Sequence, residues 1–295
     1  MNGENPNNTI DDKDLGCAPS KPFENGSCIP LYLLVEMAHA YNKTYQDPKK
    51  QIKLDPMKEL LNSVEYKKYL LSQFNKRVDD VCENQQQRWV KQTFVKKMQK
   101  KMRDELEKET FRPVGPGGKF TWLNTNDINK VAKQYEAKYS EFKFLGAVPM
   151  DFDDLPQYGI KDLDFDKLMR ENKTKIGVVF NLDNSWQGGS HWVGLYIDLK
   201  KGCVFFSDSY GTFPPDRVII LMRRIAKFIK HGLGKTPIVD YNKLQHQSKG
   251  SECGVFSIAF VLRMLRGDSW EELTTKRVPD EEINQCRSYY FSAPK

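Results

Sequence analysis

The 295-residue chain has no apolar run approaching the ~18 residues that a membrane-spanning helix requires. Its first residues, MNGENPNNTIDDKDLG, contain neither the hydrophobic core of a secretory signal nor an Arg-rich amphipathic leader. These absences predict a soluble chain that stays inside the cell. Cysteine is sparse: Cys17, Cys28, Cys82, Cys203, Cys253 and Cys286, none of them in a C-x-x-C pair. That argues against a disulfide scaffold and predicts buried thiols. A zinc site from Cys17, Cys28 and His39 has no recommending ligand spacing, so no metal is expected. Internal repeats and low-complexity tracts are missing too. What is present suffices for a core, with 39% hydrophobic and 12% aromatic residues, and wholesale disorder is excluded. Lys and Arg outnumber Asp and Glu by 46 to 39, and a net charge of +7 permits an anionic partner without requiring one.

The punctuation of the chain divides it. Residues 1–29 are rich in Asn, Asp, Gly, Pro and Ser, as an extended polar arm would be. From 30 to 111 the patterns are helical: PLYLLVEMAHAYNK with Pro30 in its first turn, then Asp55-Pro56 through about Phe74, then about Asn84 to Glu109. In the second, Met57, Leu60, Leu61, Val64, Tyr69 and Leu70 recur three to four apart. The segment RPVGPGGKF then stops any helix and marks a linker at 112–119. Beyond it, residues 120–295 mix the two kinds of element. A helix at about Thr125 to Lys138 precedes strand-like runs at 175–182, 191–199 and 203–208, the last two joined by Lys200, Lys201 and Gly202 as a hairpin. Helices return at about 215–231 and 253–266. This order predicts an α+β domain with helices on a central sheet, preceded by an all-helical domain.

Only four histidines can serve as a base. His39 sits in an apolar helix, His231 closes a helix whose C-terminus explains it, and His246 lies in the polar loop LQHQSKGS. His191 differs, opening a strand directly after NSWQGGS at the rim of the predicted sheet. Cys253 follows the polar SKGSE and opens the apolar CGVFSIAFVLRML. At a helix N-terminus the dipole and unpaired N–H groups favour a thiolate and can hold an oxyanion. A buried apolar thiol is the plainer alternative. Position alone leaves both open. Asp208 ends the next strand after His191, so a hairpin would set the two side by side and let the carboxylate orient the imidazole. Gln247, six residues before Cys253, offers an amide to the same oxyanion.

SHWVGLYIDL, FSDSYG and QSKGSECGVFS, in this order, resemble the cysteine protease clan of the SUMO-specific proteases and the adenovirus maturation protease. FTWLNTNDIN at 120–129 resembles the Trp-Leu-Asn-Asp block that opens their catalytic domain, with Thr125 in place of the usual Asp. The resemblance implies a papain-like-clan core with His191, Asp208 and Cys253 as the triad and Gln247 at the oxyanion hole. It also implies that Trp122 and Trp192 enclose a channel over the Gly-Gly residues of a substrate, because a channel roofed by indoles admits only backbone. Trp122 could equally anchor a core. The blocks GCAPSKPFENGSC, RPVGPGGKFTWLN and FKFLGAVPMDFDDL resemble the polyprotein proteases of asfarviruses and giant DNA viruses, in which a helical arm precedes the catalytic domain. Those relatives cut structural polyproteins during virion maturation, implying a host-cytoplasmic enzyme packaged in the virion. Some carry Asn at the third triad position; this chain keeps Asp208.

Within RWVKQTFVKKMQKKMR, residues 88–103, Trp89, Phe94, Val95, Met98 and Met102 interleave with basic residues. The plain reading is an amphipathic helix with a solvated basic face. The family adds DNA as a candidate activator bound through Lys96, Lys97, Lys100 and Lys101, because adenovirus-type proteases use it so. Three functions compete: a maturation protease cutting polyproteins, an isopeptidase removing SUMO or ubiquitin-like proteins, and a binding module that has lost catalysis. The intact triad argues against the last.

Overall fold

The computed structural model describes residues 25–82, 89, 92–108, 113, 115–118 and 120–291. The chain forms two compact units, Met1–Arg112 and Pro113–Lys295. In the first, α1 (Leu31–Thr44) has Pro30 at its N-cap, one position earlier than the sequence suggests. The short α2 (Pro56–Leu61) starts where the Asp55 carboxylate accepts from the Met57 and Lys58 amides, with Pro56 where no N–H is needed. α3 (Ser63–Cys82) follows, then α4 (Thr93–Lys96) and α5 (Lys100–Lys108). Leu33, Leu34, Met37 and Ala38 of α1 join Leu70 and Phe74 of α3 in a core with Trp89 and Phe94. The Phe74 ring lies 5.3 Å from Trp89 and stacks on Phe94 at 6.1 Å.

Three expectations need correction here. The helix from Pro56 breaks at Asn62, and Met57, Leu60, Leu61 and Val64 are exposed, so that stripe is not a core face. The helix expected from 84 to 109 is interrupted after Lys96. There the chain tightens through Lys97 N–H to Phe94 O and Met98 N–H to Val95 O, and the Arg103 guanidinium caps Lys96 O at 2.9 Å. Its first residues lie outside those described. Cys28 is disulfide-bonded rather than a free thiol, which also removes it as a zinc ligand.

The second unit is built on five strands in sequence order: β1 (Phe142–Val148), β2 (Lys175–Asn181), β3 (Trp192–Asp198), β4 (Cys203–Ser207) and β5 (Ile238–Tyr241). β2, β3 and β4 form an antiparallel meander, and β1 and β5 add in parallel at its two edges. Ahead of the sheet come α6 (Thr125–Ala132) and α7 (Tyr135–Lys138), and α8 (Phe165–Arg170) lies between β1 and β2. α9 (Asp216–Gly232) and α10 (Cys253–Arg266) are the long helices, followed by α11 (Trp270–Thr275), α12 (Asp280–Gln285) and α13 (Arg287–Tyr290).

Each face of the sheet carries its own core. Val178, Phe180, Val193, Leu195 and Phe206 pack with Val218, Leu221, Ile225 and Ile229 of α9. On the other face Val179, Trp192, Tyr196 and Phe205 meet Val255, Phe256, Ala259 and Phe260 of α10. Every residue of β3 is therefore buried, which explains its unbroken hydrophobic run. Two glycines let α10 close on the sheet: a Cβ at Gly194 would lie 2.7 Å from Phe260, and one at Gly177 2.7 Å from Val261. β1 and β5 were not predicted from the sequence. β1 carries an irregularity between Phe144 and Gly146, where Gly146 has φ +124° and breaks the alternation. β5 has only four residues.

Candidate active site

The site forms where the meander ends. Gly194 pairs with Ser207 across β3 and β4, so His191, just before β3, and Asp208, just after β4, come to the same rim. His191 Nε2 lies 2.6 Å from Asp208 Oδ1. The carboxylate is nearly inaccessible at 1% exposure and is held on all sides. Oδ1 also accepts from the Tyr210 amide at 2.9 Å, and Oδ2 accepts from the Thr212 hydroxyl. The Asn242 side chain, just past β5, accepts from Asp208 N–H and donates to Asp208 O, each at 2.8 Å. The edge strand thus supplies the residue that fixes the aspartate's backbone.

The Cys253 thiol is the imidazole's other electrostatic neighbour and favours its protonated form. With Nε2 on the carboxylate, Nδ1 is the atom left for sulfur. Cys253 is the first residue of α10 and is 3% exposed. Burial works against a charged ring, but the interactions with Asp208 and Cys253 outweigh it and raise His191 to about 9. Burial likewise works against the Asp208 carboxylate. The bonds from His191 and Thr212 override it and lower its pKa below the usual value. The Tyr210 ring stacks on His191 with centroids 4.8 Å apart, and its hydroxyl donates to Lys249 O at 3.2 Å.

Gln247 is fully buried. Its Oε1 accepts from Ser209 Oγ at 2.6 Å, and one amide hydrogen goes to Lys249 O. His246, in the polar loop LQHQSKGS, is buried: its Nδ1 accepts from the Val278 amide at 3.1 Å, and burial pushes its pKa down. Trp122 and Trp192 both line a cavity of 340 Å³, together with Leu123, Asn124, Asp183 and Gly188. Trp122 is 49% exposed, so it anchors no core, whereas Trp192 is buried and donates its indole N–H to Leu123 O at 2.8 Å. Around Thr125, Asn124 and Asp127 close a reciprocal cap on α6. A second hollow, of 370 Å³, lies by Asp198 at the far end of the hairpin and holds none of these residues. Sequence reasoning gave no role to Asn242, Tyr210 or His246: Tyr210 lies within FSDSYG without being singled out, and Asn242 and His246 meet the site only through the fold.

Lys96, Lys97, Lys100 and Lys101 are all exposed in the helical unit, while Phe94, Val95 and Met98 beside them are buried. Among the described residues no cluster of three or more His, Cys, Asp or Glu side chains could hold a metal.

A helix-start thiol beside an imidazole that a carboxylate orients is the apparatus of a thiol hydrolase. Comparison with known proteins carries the assignment further. The model of the Ulp1 protease family, C-terminal catalytic domain, matches residues 161–292. A thiol protease of Acanthamoeba polyphaga mimivirus is 37% identical over 283 residues, covering 93% of this chain and 92% of that one. A SUMO-1 cysteine protease of African swine fever virus is 26% identical over 204 residues, covering 63% and 73%. The crystal structure of the African swine fever virus protease shares the fold, with a TM-score of 0.56 and 21% identity over 82% of this chain and 91% of that one. The chain belongs to the Ulp1 protease family and is a cysteine protease.

Proposed function

We propose that this enzyme is an endopeptidase that cuts after Gly-Gly-type sites by a Cys-His-Asp mechanism and processes structural polyproteins during virion maturation. Cys253 attacks the scissile carbonyl as a thiolate, the nucleophilic form of sulfur. The carbonyl electrons move onto oxygen, where the remaining Gln247 amide hydrogen and backbone N–H groups at the start of α10 receive the charge. His191 gives its proton to the departing amine as the C–N bond breaks, leaving a thioester. It then takes a proton from the water that hydrolyses it. Asp208 keeps the ring oriented throughout. The observation that carries this reading is the chain of contacts from Cys253 through His191 to Asp208. Trp122 and Trp192 on one cavity wall support selection for residues without side chains.

Removal of a ubiquitin-like protein from a conjugate is the second reading, favoured by the name of the African swine fever virus relative. Both readings require the same site and differ in what lies beyond the glycines. Incubation with SUMO and ubiquitin fusions alongside Gly-Gly-x peptides from capsid-type polyproteins separates them. Turnover of the peptides and not the fusions is expected; efficient cleavage of the fusions alone would overturn the polyprotein role. The exposed Lys96, Lys97, Lys100 and Lys101 are the face through which DNA would act as an activator.

A further inference from the structure

Gln247 lies in the loop 246–252 and Cys253 directly follows it, so the middle of this stretch is exposed while both working ends are buried. A loop in water needs something to hold its backbone if an oxyanion donor is to be ready before substrate arrives. The residues that do so lie about thirty positions later. The Asp280 carboxylate, 4% exposed at the first turn of α12, accepts from two successive loop amides. Its Oδ2 lies 2.9 Å from Ser248 N and 3.1 Å from Lys249 N. Those are the two residues after Gln247, and Lys249 O is in turn the acceptor for the Gln247 amide. Arg277 donates to His246 O at 3.2 Å, and Val278 N–H to His246 Nδ1 at 3.1 Å.

The cysteine end is held separately. Glu252 is fully buried and accepts from Asn284 Nδ2 at 2.8 Å. Arg287 joins Asn284 Oδ1 at 2.8 Å to Ser251 O at 2.9 Å. Thus α12 and α13 grip the loop at two points, one for each function.

We infer that Asp280 is a positioning residue for the oxyanion hole: by fixing the Ser248–Lys249 peptide it sets the direction of the Gln247 amide. This rests on the catalytic reading of Cys253 and Gln247 given above. A buried carboxylate that accepts two adjacent N–H groups determines a backbone conformation more tightly than a neutral acceptor does. Asparagine keeps the volume and one acceptor oxygen but loses the charge; with that oxygen at the Oδ2 position its N–H₂ replaces Oδ1, which lies 3.3 Å from the Ser248 N–H. Alanine takes the acceptor from both amides, and water in this exposed loop replaces it without fixing the backbone.

The test measures two reactions of the same thiol in Asp280→Asn and Asp280→Ala. Peptide hydrolysis needs an oxyanion hole; alkylation of Cys253 by iodoacetamide does not. The expected result is a kcat about 5-fold lower in Asp280→Asn and about 30-fold lower in Asp280→Ala, consistent with partial loss of an oxyanion donor. KM, the alkylation rate and its pH profile should stay within about twofold of wild type, because His191 and Asp208 are untouched. Should the alanine variant not fold, the asparagine variant decides alone. Wild-type kcat in Asp280→Asn, or kcat and alkylation falling in parallel, overturns the inference. Hydrolysis that survives complete alkylation of Cys253 in the unmutated enzyme would instead sink the catalytic reading on which it rests.

Discussion

The two units bury apolar side chains in the same way and polar ones very differently. Among the described residues the helical unit hides one polar side chain, Ser27, whereas the other unit hides fourteen. Nine of those gather around the site: Asp208, Ser209, Asn242, His246, Gln247, Glu252, Asp280, Asn284 and Arg287. Withdrawing such groups from water costs free energy unless partners compensate it, so they accumulate only where they serve something besides stability. The helical unit can be understood as packing alone. The catalytic unit needs, in addition, an account of where each buried hydrogen bond goes.

That contrast can be broken most severely at sulfur. Cys253→Ser should lower peptide hydrolysis by roughly 10⁴-fold or more while circular dichroism and melting stay near wild type, since the change is nearly isosteric. Near-normal turnover would remove the site from Cys253.

Asp208→Ala should lower kcat roughly 100-fold, because His191 loses the group that orients it. Asp208→Asn should be milder. An asparagine can keep its oxygen toward His191 and Tyr210 and point its N–H₂ at the Thr212 hydroxyl, which can turn to accept. Steady-state kinetics on the pair checks the order; Asn worse than Ala would contradict it.

In the helical unit the prediction inverts. Phe74→Ala removes a fully buried ring between Trp89 and Phe94 and should destabilise that unit by about 3–5 kcal/mol. The kcat of the protein that remains folded should not change. Denaturant melts paired with active-site titration test both halves of that statement.

The pH dependence sharpens the comparison from the other side. His191 is raised from 6.5 to about 9 in the folded chain, so it stays protonated at neutrality. Its contribution to stability is complete below about 6.5 and is lost as pH rises through about 9. The leaving group loses its proton donor over the same interval, and kcat/KM should fall about tenfold per unit above it. A limb centred near 6.5 would show the ring free of its partners. The smallest effect belongs to the basic face. Charge reversal at Lys96, Lys97, Lys100 and Lys101 should weaken polyanion binding at low salt, with a difference that shrinks as salt rises. Equal affinity for a DNA oligonucleotide before and after reversal would leave a solvated helix surface.

How much of this was legible depended on distance along the chain. The helix opening at Cys253 has the ends the sequence suggests, because a polar loop and Gly267 bracket an apolar run. The strands carrying His191 and Asp208 were legible because a three-residue loop joins them and their pairing is local. β1 and β5 were not: one is bulged, the other very short, and both pair in parallel with strands more than thirty residues away in sequence. Asp280, Asn284 and Arg287 are ordinary polar residues in short helices, and only the fold sets them under the catalytic loop. In the helical unit, the spacing of Met57, Leu60 and Leu61 predicts one continuous helix, which the fold breaks at Asn62.

The close approach of α10 to the sheet at Gly177 and Gly194 turns packing into a gauge of reactivity. Cys253 begins the helix whose Phe260 and Val261 rest on those two glycines, so the helix cannot be lifted without lifting the sulfur. A single methyl at Gly194 must displace the Phe260 ring or the helix itself. His191 stays behind, because its strand belongs to the sheet. These two backbone positions therefore set the spacing between Cys253 and His191.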